Sequence, residues 1–361
     1  MMIPGHPKIL IVKLSAIGDV VHTLPALNAL RRHYPKAHIT WLVEEAAAEL
    51  VVGHPALDRV LISKRKTWLK GLGTKKWPEH LKLAVGFVRK LRDTHYDLIF
   101  DFQAALKGSV LIALARGTRK IGFDGGMEHQ EHSYLVLNER IPPVSMELHA
   151  LNRGLKMLEA VGVKCDKIRY ELPIGAFHRQ QAKKLLTTSG IETGRPFAVI
   201  NPVAKWPTKL WHPTRFALMA DTFANDFGLP VVFSGSAADK TAITAIASTM
   251  KSQAVDLCGK TDLITLAALL ENARLMVTTD TGPMHIAAAV KTPTVALFGP
   301  TAPWRTGPFG KQHKVVRAQI NCSPCFKRHC SDKTRCMRDI SVAQVLSAAT
   351  GILDEKKSSL G

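Results

Sequence analysis

Three stretches carry side chains whose types and spacing can do chemistry. The first is Ser15-Ala16-Ile17-Gly18-Asp19, directly after the apolar run KILIVKL (8–14). A carboxylate at the end of a buried strand can take a proton from a hydroxyl, and Gly18 would permit a tight turn before it. Asp19 can equally cap the helix that leads through Val20, Val21 and His22, which Pro25 would help to initiate. The second stretch is Thr279-Asp280-Thr281-Gly282-Pro283-Met284-His285, after LMVTT. There Gly282 lets a ligand approach the backbone and Pro283 suits a first helical turn, whose free amides suit a diphosphate. His285 either reaches a ligand from that turn or serves the structure. The third is Lys205-Trp206-Pro207-Thr208-Lys209-Leu210-Trp211, after FAVINP. Its lysines can neutralise a leaving diphosphate without a metal, or belong to an exposed basic loop. Neither GxxxxGK[ST] nor GxGxxG occurs, which argues against a P-loop ATPase and a dinucleotide-dependent dehydrogenase.

Positioning these groups requires strands that end where they begin. Short β-rich runs alternate with amphipathic stretches, the pattern of a doubly wound parallel sheet, and the pattern occurs twice. The first half offers strands at 8–14, 38–43, 59–63, 97–102 and 119–123, with helices at Pro25 to His33, Pro78 to Asp93 and Leu106 to Arg116. The second offers 197–202, 230–235, 254–258, 275–280 and 294–299, with helices at Pro213 to Phe227, Asp239 to Met250, Leu263 to Glu271 and Pro283 to Val290. Two α/β domains are expected, 1–172 and 173–340, divided where YELPIGA (170–176) breaks the periodicity after a helix beginning near His149. A last helix, Ser341 to Asp354, is expected to pack back across the first domain, with Lys356 to Gly361 as a frayed tail.

The chain has 361 residues, 46% of them hydrophobic, enough for two well-packed cores. No apolar run is long enough to span a bilayer, and MMIPGHPKILIVKL lacks the features of a secretory leader, so a cytoplasmic location is expected. A net charge of +20 calls for an anionic partner. Much of the excess lies in Lys64 to Arg92, where ten basic residues and Trp68 and Trp77 stand against the single acid Glu79. Such a segment either lies on a membrane surface and grips phosphates or forms a solvated helix face. Four of the six cysteines, Cys322, Cys325, Cys330 and Cys336, are spaced so that they can close a small zinc site or remain reduced thiols in a loop.

Taken together, ILIVKLSAIGDVVHTLPALNALR (9–31), WLVEE (41–45), DFQAALKGS (101–109), KWPTKLWHPTRF (205–216), FSGSAADK (233–240) and VTTDTGPMHIAAAVKTPTVALFGPTAPWRTGP (277–308) resemble the ADP-heptose:lipopolysaccharide heptosyltransferases, glycosyltransferase family nine. The resemblance runs over nearly the whole chain. It implies a GT-B fold, two Rossmann-like doubly wound domains facing a central cleft, with the acceptor on the first and the nucleotide sugar on the second. By this likeness Asp19 is the general base and Lys209 contacts the donor phosphates. Lys205, Asp280, Thr281, Gly282 and His285 line the donor site, with Asp239 at the ribose and Thr261 at the adenine. The acceptor side would use Gly18 and His22, the basic head Lys64, Arg65 and Lys66, and the motif residues Asp101, Gln103 and Lys107. That motif usually reads D-x-Q-G-x-x-K-S, whereas Ala104 and Gly108 replace its glycine and serine here. The implied reaction is an inverting, single displacement of ADP by an acceptor hydroxyl, with no cofactor beyond the donor ADP-heptose and no catalytic metal. The partners implied are the nucleotide sugar, a Kdo–lipid A acceptor and, peripherally, the inner face of the cytoplasmic membrane. Another sugar nucleotide or a later core acceptor is the nearest alternative. A basic nucleic-acid-binding role is disfavoured by the 6% aromatic content and the lack of any nucleic-acid-binding signature.

Overall fold

Runs rich in Val, Ile and Leu, buried on both faces, become the inner strands of two parallel sheets. The computed structural model describes residues 5–127 and 131–358. Within them the strands are β1 (Lys8–Val12), β2 (His38–Glu44), β3 (Arg59–Ser63), β4 (His95–Asp101), β5 (Arg116–Phe123), β6 (Glu139–Ile141), β7 (Ala198–Asn201), β8 (Val231–Phe233), β9 (Ala254–Asp256), β10 (Leu275–Thr279), β11 (Thr294–Phe298) and β12 (Lys314–Arg317). The first sheet has the order β3-β2-β1-β4-β5-β6 and the second β12-β11-β10-β7-β8-β9. Numbered from each sheet's own first strand, the two orders are the same, 3-2-1-4-5-6. The register sets Ile9 between Ile39 and Leu98, and Val277 between Val295 and Ile200. The chain divides into two compact units, Met1–Pro173 and Ile174–Gly361.

Helices cover the sheets and supply the cores. In the first unit Leu10, Val12, Leu42, Phe87, Leu91 and Tyr96 pack together, with Trp68 tilted against Phe87 at 5.1 Å between ring centroids. In the second, Phe216, Phe223 and Phe233 are wholly buried beside Trp211, whose indole N–H donates to Ile340 O. Each such side chain contributes about 1.5–3 kcal/mol by leaving water.

Several elements differ from expectation for identifiable reasons. The first helix spans Ile17–His33, so Pro25 lies inside it rather than at its start, and Gly18 is a buried helical residue rather than a turn. Strands β6 and β12 were not foreseen, because ERI and KVVR are short, charged edge strands without an apolar run. Helices Arg65–Leu72 and Ala176–Thr188 are likewise additional. The helix after His149 covers only Ala150–Glu159, and His149 is its cap, accepting from Leu151 N. The last helix, Val342–Ser358, packs on the second sheet: Val345, Ala349, Ile352 and Leu353 belong to the same core as Phe216 and Val295. The tail expected from Lys356 is helical as far as Ser358, and residues 359–361 lie outside the described residues.

Candidate active site

In an open parallel sheet, ligands gather beyond the carboxyl ends of the strands where the order reverses, between β1 and β4 in the first sheet and between β7 and β10 in the second. The first of these points is built from the residues that follow β1. Leu14 N and Ser15 N both donate to Gln103 Oε1, at 2.8 and 3.1 Å. Ala16 N donates to Asp19 Oδ2 at 3.0 Å. Asp19 therefore sits in the first helical turn and caps it from within, which explains how the helix begins on Ala16, a residue with no capping side chain. The cap occupies one carboxylate oxygen. The other, Oδ1, makes no hydrogen bond among the described residues, so the capping and basic roles of Asp19 are compatible.

A cavity of about 180 Å³ opens here, lined among others by Lys13, Asp19, His22, Asp101, Gln103 and Arg153. Asp101 ends β4 and is 1% exposed. Its Oδ1 accepts from Gln103 N (3.0 Å) and Ala104 N (2.9 Å), while burial pushes its carboxyl above the usual carboxylate range against the pull of those amides and of Lys13. His22 is buried and meets His149 edge-on, 4.9 Å between centroids. The two departures from the acceptor motif now have a geometry. Ala104 holds φ +48°, the left-handed conformation that the motif's glycine would adopt freely. At Gly108 a Cβ would lie 3.0 Å from Gln103 Cβ, so that side chain fills the space a serine would need.

Next to this loop stands a cluster that sequence reasoning saw only in part. Glu44, the last residue of β2, has a side chain 5% exposed, with Arg65 at 3.1 Å and Lys66 and Lys107 each at 4.0 Å. Lys64 pairs separately with Glu45 at 3.1 Å. Lys107 also donates to Ser15 Oγ, and its ammonium pKa is lowered by burial and then by Arg65, Lys13 and Lys66, against the pull of Glu44. Expected acceptor residues Lys64, Arg65, Lys66 and Lys107 thus converge on Glu44 and Glu45 with positive charge in surplus. Glu44 stands in the quoted motif WLVEE (41–45), but nothing in the sequence assigned it a role.

The second reversal point holds Lys209 and Asp280. Lys209 Nζ is 2.6 Å from Asp280 Oδ2, the two side chains being 16% and 7% exposed. Thr301 Oγ1 donates to the same oxygen at 2.6 Å. Lys209 Nζ also lies 4.7 Å from the centroid of Trp206, and the Arg328 guanidinium 5.0 Å from it. Thr208 Oγ1 donates to Lys327 O at 2.8 Å, tying this loop to the cysteine-bearing segment. Thr281 is the N-cap of helix Gly282–Ala289, and His285 is buried within that helix. Lys205 is exposed. Asp239 and Thr261 follow β8 and β9 and make no hydrogen bond or ion pair with Lys209 or Asp280. Asp239 Oδ2 accepts from Ser236 N and Oγ at 2.8 and 2.6 Å. The two loops touch at Gly259, where a Cβ would come within 2.9 Å of Ala237 Cα. Trp206, Thr301 and Arg328 are further residues of this region; the first two stand in quoted motifs, whereas Arg328 was not legible.

Cys322, Cys325, Cys330 and Cys336 are free thiols, and among the described residues no three His, Cys, Asp or Glu gather as a metal-ligand set. Burial first, then Cys325, raises the Cys336 thiol pKa. Among the described residues no helix is long and apolar enough to cross a membrane.

The model of glycosyltransferase family 9 (heptosyltransferase) matches residues 85–335. Lipopolysaccharide heptosyltransferase 1 of Pseudomonas aeruginosa is 30% identical over 325 residues, covering 90% of this chain and 87% of that protein. The lipopolysaccharide core heptosyltransferase OpsX of Haemophilus influenzae is 28% identical, over 86% of this chain and 84% of its own. In fold, the chain is similar to the E. coli heptosyltransferase WaaC with ADP, at a TM-score of 0.76 and 24% identity over 96% of this chain and 99% of that one. The doubly wound sheets, the two reversal-point loops and a sequence match that spans both units lead to one assignment: the chain belongs to glycosyltransferase family 9, the heptosyltransferases.

Proposed function

We propose that the protein transfers heptose from ADP-heptose to the inner core of lipopolysaccharide, with inversion and without a metal. The observation that carries the reading is the buried Lys209–Asp280 pair at the second reversal point, beside the amide end of helix Gly282–Ala289, in a member of this family. That arrangement suits a diphosphate leaving group. Its relatives' names speak for the same substrates: lipopolysaccharide heptosyltransferase 1 in P. aeruginosa, and WaaC solved with ADP-2-deoxy-2-fluoro heptose.

In the step proposed, Asp19 Oδ1 takes the proton of an acceptor hydroxyl as that oxygen bonds to the anomeric carbon. The bond from that carbon to the ADP oxygen breaks, and ADP departs with the electron pair. Lys209, Lys205 and the amides at Thr281 and Gly282 balance the charge that develops. Asp239 and Thr261 serve the nucleoside. On the acceptor side Lys64, Arg65, Lys66 and Lys107 meet carboxylates and phosphates, and Gly18, His22 and Asp101 shape the cavity around the sugar. Helix Trp77–Arg92 exposes Trp77, Leu81 and Val85 along one stripe with Lys82, Arg89 and Arg92 beside it, which suits peripheral contact with an anionic cytoplasmic leaflet.

The test is mass-spectrometric detection of sugar transfer from ADP-heptose to Kdo2-lipid A and, in parallel, to its monoheptosylated form, each with and without excess chelator. Transfer to one acceptor at a chelator-independent rate is expected. No transfer to either would refute the substrate assignment and favour another nucleotide sugar or a later acceptor. A chelator-induced loss restored by magnesium would refute the metal-free step.

A further inference from the structure

We infer that Gln103 is a positioning residue for the base, acting through the loop that carries Asp19. The inference rests on Asp19 being that base. Between Lys13 N, which donates to Leu42 O, and Val20 N, which donates to Ala16 O, the amides of Leu14, Ser15 and Ala16 have only side-chain partners. Gln103 Oε1 takes the first two and Asp19 Oδ2 the third. On one side β2 holds this stretch through its carbonyls, with Glu44 N donating to Leu14 O at 2.9 Å and Trp41 Nε1 to Lys13 O at 3.0 Å; on the other the Gln103 carbonyl, just past the end of β4, takes its amides, and so helps to set the backbone path to the first turn of the helix and the direction in which Asp19 Oδ1 points. Among the described residues these amides have no other acceptor, and two orphaned amides would loosen the loop or draw in water.

Gln103 is itself fixed from two sides. Its own N–H donates to buried Asp101 Oδ1, and its Cβ and Cγ would stand 3.0 and 3.1 Å from a Cβ at residue 108, space left open because that residue is glycine. Lys107 completes the hold by donating to Ser15 Oγ. The motif Asp101-x-Gln103 thus forms a relay from β4 to the base loop. This differs from the direct acceptor contact that the family pattern suggested, and the two readings separate kinetically. A group that aligns the base loses kcat when removed, whereas a group that binds acceptor equally in ground and transition states raises KM.

The experiment compares Gln103→Leu, Gln103→Glu and Asp19→Asn with the parent, first checking that each keeps the parental melting profile and ADP affinity. Gln103→Leu keeps most of the side chain's bulk, ends one atom shorter and lacks the acceptor oxygen, and is expected to lower kcat about 10²-fold, the scale of a misaligned reacting group, with acceptor KM little changed. Gln103→Glu keeps an acceptor for both amides and is expected to restore most of kcat. The double variant Asp19→Asn with Gln103→Leu is expected to be no slower than Asp19→Asn alone. A raised acceptor KM with parental kcat in Gln103→Leu would overturn the inference and return Gln103 to the acceptor site. Parental kinetics in Gln103→Leu beside an inactive Asp19→Asn would overturn it while leaving the base in place. Turnover retained in Asp19→Asn would overturn the base assignment itself. Should Gln103→Leu fail to fold, Gln103→Met, which also lacks the acceptor oxygen, takes its place: parental kcat in that variant overturns the inference.

Discussion

Replacing Lys209 by alanine separates two effects that the structure superimposes. Lys209 Nζ lies 2.6 Å from Asp280 Oδ2, and without it Asp280 keeps, among the described residues, the Thr301 hydroxyl as its side-chain donor. Breaking a buried pair by removing one partner costs about 3–5 kcal/mol, because a charge is left uncompensated. With Lys209 16% exposed and Thr301 still in place, the lower end applies, about 3 kcal/mol. For a unit of this size each kcal/mol moves the melting temperature by about 2–4 °C, so Lys209→Ala should melt roughly 6–12 °C lower. Adding Asp280→Asn removes the stranded charge and should recover most of that loss. ADP binding should respond differently. Losing a charge-assisted contact to a phosphate costs about 1.5–3 kcal/mol, roughly ten- to a hundredfold in Kd. The single variant should be weaker still, since its bare carboxylate repels the diphosphate, whereas the double variant recovers stability without recovering affinity. Thermal melts and titration calorimetry with ADP on the parent and both variants read the two effects separately. Parental ADP affinity in the double variant would remove Lys209 from the phosphate site. A Lys209→Ala melt indistinguishable from the parent would show that the pair does not carry the buried charge assigned to it.

Three other outcomes are expected. Ala104→Gly relieves the left-handed backbone at φ +48°, worth about 1–2 kcal/mol, against about 0.4–1 kcal/mol of added chain entropy in the unfolded state; a modest gain in melting temperature is expected, and a loss would refute the strain. Trp77→Ser with Leu81→Ser removes two exposed apolar side chains worth up to about 1.5–3 kcal/mol each when buried, so flotation with anionic vesicles should fall at least about tenfold with the melting profile kept; unchanged flotation would exclude this helix as the membrane face. Burial lowers the His313 imidazole from 6.5 to about 4, so the unfolded chain binds more protons between those values: stability is complete above about pH 6.5, falls as pH drops toward 4 and levels below it. The span is up to about 3 kcal/mol, and His313→Gln should flatten it in melts taken across that range; an unchanged slope would assign the acid sensitivity elsewhere.

Much of the fold was legible because inner parallel strands are apolar on both faces: KILIV, HITWLV and LMVTT announce themselves without help from the rest of the chain. Edge strands β6 and β12 were not, since only their pairing with β5 and β11 makes ERI and KVVR strands. Pro25 misplaced the start of the first helix because proline more often opens a helix than sits within one; the helix begins at Ile17, eight residues before Pro25, with Asp19 as the cap that its local sequence offered. The loops after β1, β7 and β10 were readable as chemistry because their position in the topology follows from the strands alone. What escaped was tertiary partnership. Glu44 gathers cations from residues 65, 66 and 107, and Gln103 reaches back 88 and 89 residues to its amides. Spacing along the chain carries no trace of either.

The clamp between Gln103 and residues 14 and 15 has a meaning for how the enzyme comes into being. The loop bearing Asp19 is synthesised early, yet its amides wait for a side chain that emerges most of a hundred residues later and becomes available only when β4 zips beside β1. Such a non-local closure is slow to nucleate and all-or-none once made. A loop anchored this way cannot ripen piecemeal. Its amides should gain protection from hydrogen exchange together with the centre of the first sheet, so that a nascent or partly opened chain holds Asp19 in no fixed direction.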